Sequence, residues 1–280
     1  MMPRFAIHLA LWTRDWADDI VPFARKAAEI GYDGVEVSLL GAAAGNPIEV
    51  GKAITDLGLA VTCTTGLSRS DDIASLDPAI RARGIEALKR GVKAAHGLGA
   101  RHLSGVIYAP WGAFDGRNKR VRRDLAAEGL RAVAPLAEAL DVRLGIEAIN
   151  RFETDLVNTA AEAVSLAESV GSTHVGVLLD SFHMNIEEAD PAAAIRATGR
   201  RLFHFHCADN DRGVPGGGKI DFSAQARALA AIGFDGWITA EMFVLPDVAV
   251  SPDLSIWRPI EADPDVAARD AFAFFRKTFA

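Results

Sequence analysis

The chain has 280 residues, 50% of them hydrophobic and 24% charged, with a formal net charge of −7. That balance describes a globular chain and excludes extended disorder. The basic residues are scattered and form no footprint for a phosphate backbone, and no run reaches the roughly twenty apolar residues of a membrane-crossing helix. Taken in chain order, the predicted strands are FAIHLALW (5–12), GVEVS (34–38), LAVTCT (59–64), RHLSGVIY (101–108), VRLGIEA (142–148), HVGVLLD (174–180), LFHFHC (202–207) and GWITAEM (236–242). Ala-rich stretches of helical periodicity lie between them, among them WADDIVPFARKAAEIG and TAAEAVSLAESVG, and several close on a Gly that suits a helix C-cap.

Eight such alternations with no Pro/Ser-rich linker predict one parallel sheet covered by helices and closed into a (β/α)8 TIM barrel, a single domain over 1–280. A doubly wound sheet would carry a glycine-rich phosphate turn after its first strand, where TRDWADD stands instead. VPGGGK (214–219) lacks P-loop spacing and reads as a flexible loop after the seventh strand. The N-terminal stretch has no signal-peptide cleavage pattern, so a cytoplasmic protein is expected, with neither nucleic acid nor membrane as a partner. Cys63 and Cys207 are too few for a disulfide framework and are expected to be reduced thiols.

Chemistry in such a barrel sits at the C-terminal ends of the strands. There the last four predicted strands carry Glu147, Asp180, His206 and Glu241, each roughly one strand–helix unit from the next. A desolvated carboxylate is costly unless paired or bound to a metal. Asp180 by itself reads as an N-cap for the following segment, and His206 by itself as a core histidine, with His204 a competitor for its role. Four metal-capable tips in succession instead predict a site. Three carboxylates and one imidazole suit Mn²⁺, Mg²⁺ or Co²⁺, whereas a structural Zn²⁺ site would recruit Cys.

At these residues the sequence resembles the ketose 3-epimerases, the D-tagatose and D-psicose 3-epimerase group of the xylose-isomerase-like barrels. The carrying segments are EAINRFE (147–153), NTAAEAV (158–164), LLDSFHMNIEE (178–188), HFHCADNDRGVPGGGK (204–219), AEMFV (240–244) and SIWRPI (255–260). The resemblance implies one divalent ion, usually Mn²⁺, held by Glu147, Asp180, His206 and Glu241, with Glu147 and Glu241 also the catalytic acid/base pair. It implies that Glu153, His183 and Arg212 bind the sugar near O1 and O2, and it suggests a homodimer or homotetramer. Two departures lie around the substrate. Met242 stands where the family often has Pro, and His8 where a Tyr is common.

Inverting C3 of a ketose removes a proton α to the C2 carbonyl, and the difficulty of that step is the negative charge arriving on oxygen. A divalent ion would stabilise the resulting enediolate, while two carboxylates on opposite faces would take and return the proton. Trp12, Trp16, Trp111 and Phe243 are candidates for the apolar wall, and Trp111 and Phe243 are the two assigned to substrate binding. Two other readings stay open on this scaffold. One is an aldose–ketose isomerase or polyol dehydratase of the inosose type; the other is a sugar-binding barrel without turnover. A multi-zinc repair nuclease would need more histidines at the site. The segment 242–259 reads as a long irregular stretch with exposed apolar residues, a lid or a subunit contact.

Overall fold

Strands rich in branched aliphatic residues and bounded by polar turns pair best with their sequence neighbours when a helix returns the chain each time. In the computed structural model, which describes residues 3–40 and 46–280, all eight do so in parallel, and the last returns to the first to close the barrel. The strands are β1 (Arg4–His8), β2 (Gly34–Ser38), β3 (Ala60–Leu67), β4 (His102–Pro110), β5 (Arg143–Ala148), β6 (Val175–Asp180), β7 (Leu202–Cys207) and β8 (Trp237–Ala240). The longer helices α1 (Val21–Ile30), α2 (Pro47–Asp56), α3 (Pro78–Gly97), α4 (Lys119–Ala139) and α5 (Ala160–Val170) share one hydrophobic core with the sheet. After β6 come α6 (Ser181–Glu187) and α7 (Pro191–Thr198), then α8 (Phe222–Ala231), α9 (Ser251–Leu254) and α10 (Pro264–Thr278).

Local signals explain where many of these helices begin and end. Asn46, Asp77, Asp190 and Asp263 each cap a helix by accepting a backbone N–H, and each is followed by Pro, whose missing N–H is harmless in a first turn. α1 and α5 stop on Gly31 and Gly171, both left-handed, a conformation that suits a residue without Cβ.

The barrel interior is polar where the usual filling would be branched aliphatics. His8, Glu36, Thr62, Thr64, His204 and Thr239 are all buried and interlock. Thr62 Oγ1 donates to Glu36 at 2.9 Å, while His8 meets Thr64 and His204 meets Thr239, each at 2.9 Å. Gly145 is where two strands press together inside this layer, since a Cβ there would fall 2.3 Å from Ser104 Oγ. Register then levels the strand tips: Asp180 stands opposite His206 across β6 and β7, and His206 opposite Thr239 across β7 and β8.

Three expectations need correction. β1 ends at His8 instead of residue 12, because the His8 side chain accepts the N–H of Ala10 and turns the chain into a 3-10 helix, Leu9–Leu11. In the segment 242–259, Met242, Phe243, Val244, Val250, Leu254 and Ile256 are buried and only Trp257 among its large apolar side chains is strongly exposed, at 73%. Several of them form a small second cluster with Ala10 over the barrel mouth. The glycine-rich loop is fastened: the N–H groups of Gly216, Gly218 and Lys219 donate to the buried Asp209 carboxylate at 2.8, 2.9 and 2.9 Å. A Cβ at position 218 would lie 2.2 Å from Asp209 Oδ1, so this close approach requires glycine. Cys63 and Cys207 are both free and buried.

Asp209→Ala strands those donors away from water. It should lower the unfolding free energy by roughly 2–3 kcal/mol, seen as a lower urea midpoint at unchanged slope. An unshifted midpoint would show that the loop does not depend on this carboxylate.

Candidate active site

Glu147 sits near the end of β5, Asp180 ends β6, His206 lies near the end of β7, and Glu241 follows β8 by one residue. All four are buried, and one donor atom from each falls within 4.8 Å of the others. The N-cap reading of Asp180 holds through one oxygen, and the other oxygen is left free for a site. Oδ1 accepts the N–H of Phe182 at 2.8 Å and caps α6. Oδ2, equally buried, has no hydrogen-bond partner.

His206 is divided in the same way. Its Nε2 meets Glu36 Oε1 at 2.6 Å. Its Nδ1 lies 3.1 Å from Glu241 Oε1 and 3.9 Å from Glu147 Oε1, but not aligned for a hydrogen bond with either. With Nε2 committed as a donor to Glu36, the lone pair of a neutral imidazole falls on Nδ1 and faces the three carboxylates. His204 is set apart from that group: its Nε2 faces Glu36 Oε2 at 3.0 Å and Thr239.

The charges do not balance internally. Burial, reinforced by Glu241, pushes Glu147 well above the usual carboxylate range and carries Asp180 to about 7. Burial would raise Glu241 too, but the adjacent His206 outweighs it and holds Glu241 at about 2. Burial resists charging His206, yet Glu241 and Glu36 on either side of the ring raise it well above the ordinary histidine value. The cluster therefore takes up protons in place of positive charge it otherwise lacks. Two buried, unpartnered donor atoms, Asp180 Oδ2 and His206 Nδ1, face the same point. Oxygen-rich donors with one imidazole fit a hard or borderline divalent cation.

Beside this cluster opens a cavity, and the remaining predicted site residues line it: His8, Trp111, Glu153, His183, Arg212 and Phe243. They are bonded to one another. Arg212 donates to Glu153 at 3.0 Å, and its guanidinium stacks over Phe182 and Phe243 at 4.4 and 5.0 Å. Its left-handed backbone, φ 64°, is held by its N–H on Asp209 O. Its charge is thus buried and aimed. Burial works against the ionised form of Glu153, but Arg212 outweighs it and keeps Glu153 below its usual range. Arg151, two residues before Glu153, pairs with Glu187 and leaves Glu153 to Arg212.

The N–H of Asn150 donates to His183 Nδ1 at 3.1 Å, which favours a hydrogen on Nε2, the nitrogen that the Arg212 guanidinium approaches to 3.3 Å. Burial lowers His183 to about 4, so it is a neutral donor. That Nε2 lies 3.7 and 3.8 Å from Asp180 Oδ2 and Glu147 Oε1. His8 is likewise held neutral by burial. Trp16 lines the cavity, whereas Trp12 turns away to donate to Asp265 at 2.6 Å and stack on Phe23.

Three residues went unmarked by sequence reasoning: Glu36, Asn150 and Asp209. Glu36 carried the same signal as Asp180, an acid inside an apolar strand, and its carboxylate orients His206. Asn150 orients both His183 and Glu153, donating to the latter at 2.9 Å. No local pattern distinguishes it.

Comparison with known proteins agrees with the fold. The family model described as xylose isomerase-like TIM barrel matches residues 24–278. An L-ribulose 3-epimerase of Mesorhizobium japonicum is 36% identical, with 98% of this chain and 93% of that protein covered. A D-psicose 3-epimerase of Agrobacterium fabrum is 32% identical over 98% of each. The crystal structure of a D-psicose 3-epimerase in the presence of D-fructose superposes with a TM-score of 0.94 at 31% identity, covering 99% of both chains. On the barrel and on these relationships, the chain belongs to the xylose isomerase-like TIM-barrel family, within its ketose 3-epimerase group.

Proposed function

We propose that the protein inverts C3 of free ketoses of the D-psicose/D-fructose, D-tagatose/D-sorbose or L-ribulose/L-xylulose type, with residues 1–280 acting as one catalytic domain. The observation that carries this reading is the meeting of Glu147 and Glu241 with Asp180 and His206, one donor atom from each within 4.8 Å of the rest, beside a cavity that both glutamates line. The relatives' names supply the reaction class.

Glu147, Asp180, His206 and Glu241 would hold one divalent cation, Mn²⁺ in our reading, with Co²⁺ or Mg²⁺ as alternatives. When bound it supplies fixed positive charge for the sugar oxygens that become anionic. The chain's own groups do the rest. One of Glu147 and Glu241 accepts the C3 proton, the other delivers a proton to the opposite face, and the roles exchange for the reverse substrate. The neutral His183 donates Nε2–H to O2, and Arg212, steadied by Glu153, orients the O1 end. Trp111, Phe243 and His8 close the apolar side. Arg212 is the one cationic side chain among the described residues lining the cavity, and it is already paired with Glu153, which favours unphosphorylated sugars.

The isomerase and dehydratase readings predict an aldose or a dehydrated ketone in place of a C3 epimer, and a non-catalytic barrel predicts no exchange at C3. We also propose a cytoplasmic homodimer or homotetramer. Among the described residues no helix is long and apolar enough to cross a membrane, and Trp257 and Ile48 are strongly exposed apolar side chains suited to a subunit contact.

Three expected outcomes follow from the site. Glu147→Gln and Glu241→Gln should each lower kcat by about a thousandfold or more on a ketose panel while KM changes little. Activity retained in both would end the two-carboxylate scheme. In metal-free protein the Asp180 carboxyl titrates near 7 against about 4 in the unfolded chain, so the unfolded state loses its proton first and stability falls as pH rises between those values. Asp180→Asn should therefore melt several degrees above the metal-free wild type at pH 8 and near it at pH 4.5, whereas added Mn²⁺ should raise Tm only in the wild type. Equal differences at both pH values would contradict the cation site. Glu36→Gln should weaken Mn²⁺ binding about 10–100-fold by calorimetry. Unchanged affinity would remove Glu36 from the support of His206.

A further inference from the structure

The catalytic cavity does not end at the residues that would hold one ketose. Trp16, Leu40, Trp111 and Glu153 are walls of that cavity and also of a second, outer and more open space. Its further walls include Phe152, Pro252, Asp253 and Ser255. The two spaces adjoin along these four side chains, which sets a ligand in the outer one beside a ligand in the inner one.

The character of the outer space is specific. Its two indoles are fixed at their polar edges: Trp16 Nε1 donates to Asp253 Oδ2 and Trp111 Nε1 to Glu153 Oε2, both at 2.9 Å. Each therefore presents a rigid apolar face. Phe152 is 73% exposed, an unusual position for a large apolar ring, yet its backbone is anchored. Its N–H donates to Asn150 Oδ1 at 2.9 Å, and the preceding Arg151 is clamped on Glu187 by its backbone and its guanidinium. Among the described residues no basic side chain lines this space, while Glu153 and Asp253 bring carboxylates to it. Phosphate is disfavoured there. Flat apolar faces beside hydrogen-bond acceptors suit a neutral ring with hydroxyls at its edge, which is the chemistry of a pyranose.

We propose that the outer cavity is a second sugar subsite, and that the protein epimerises ketose units that carry a glycosyl group. This rests on the 3-epimerase reading above. The chemistry is unchanged: one proton leaves C3, one returns to the opposite face, and the glycosidic bond stays intact. The ketose carbon C2 must be free to open to the ketone and O3 must be unsubstituted. The substrates are therefore reducing disaccharides with glucose on O1, O4, O5 or O6 of a ketohexose.

The test is proton exchange in D₂O with the Mn²⁺-loaded protein, followed by NMR at C3, on D-fructose, D-tagatose, the four glucosyl-fructoses and sucrose, whose C2 is blocked. At least one glucosyl-fructose is expected to show kcat/KM within about tenfold of the free ketose, with sucrose inert. Phe152→Ala should lower that value tenfold or more while leaving the free ketose within twofold. Because Phe152 is exposed, this variant keeps its fold. Exchange on free ketoses but on no disaccharide overturns the subsite and leaves the epimerase reading standing, as does disaccharide turnover that Phe152→Ala does not change. Exchange on neither class overturns both.

Discussion

Asp180 and His206 face each other in register on neighbouring strands, and that pairing decides what the mouth of the barrel can hold. The closed sheet brings a carboxylate and an imidazole to the same height, and Glu147 and Glu241 complete the group from the flanking staves. Once assembled, the group cannot satisfy itself. Three acids and one base buried together repel more than they attract, and the surplus appears as raised affinity for protons at Glu147, Asp180 and His206. A structural core would not keep such a debt. A site for a cation would.

The support beneath this group is as informative as the group itself. Glu36 is fully buried and ionised, because the imidazoles of His204 and His206 outweigh the penalty of burial. It accepts from Thr62 and faces both imidazoles, so it links the polar layer of the barrel to the first ring of donor atoms. That layer explains why the interior departs from the aliphatic filling common in barrels. The polar side chains are there to aim other polar side chains.

Much of this was legible in the residues. Alternation of apolar runs with helical periodicity announced the barrel, and the acid at the end of HVGVLLD stands where four donor side chains meet. What stayed hidden depends on contacts between distant parts of the chain. Glu36 lies 170 positions from His206, and nothing in GVEVS says which partner its carboxylate meets. Arg212 reads as a surface charge until Asp209, Phe182 and Phe243 are seen around it. The first strand was extended too far because an apolar run cannot reveal that the His8 side chain will turn it. The segment 242–259 looked exposed because its small cluster depends on Ala10 at the opposite end of the chain.

The wall of the cavity built around Glu153 is one bonded piece. Trp111, Asn150 and Arg212 all converge on Glu153, and Asn150 also holds His183. Among the described residues, Thr65, Gly66, Val106 and Leu254, which also line the cavity, make no comparable side-chain web. Effects of substitutions within a shared network combine non-additively, whereas separated positions sum. An engineer who wishes to retune this enzyme should therefore meet a rugged landscape on one side, passable only by coordinated changes, and a smooth one on the other, where single steps can accumulate.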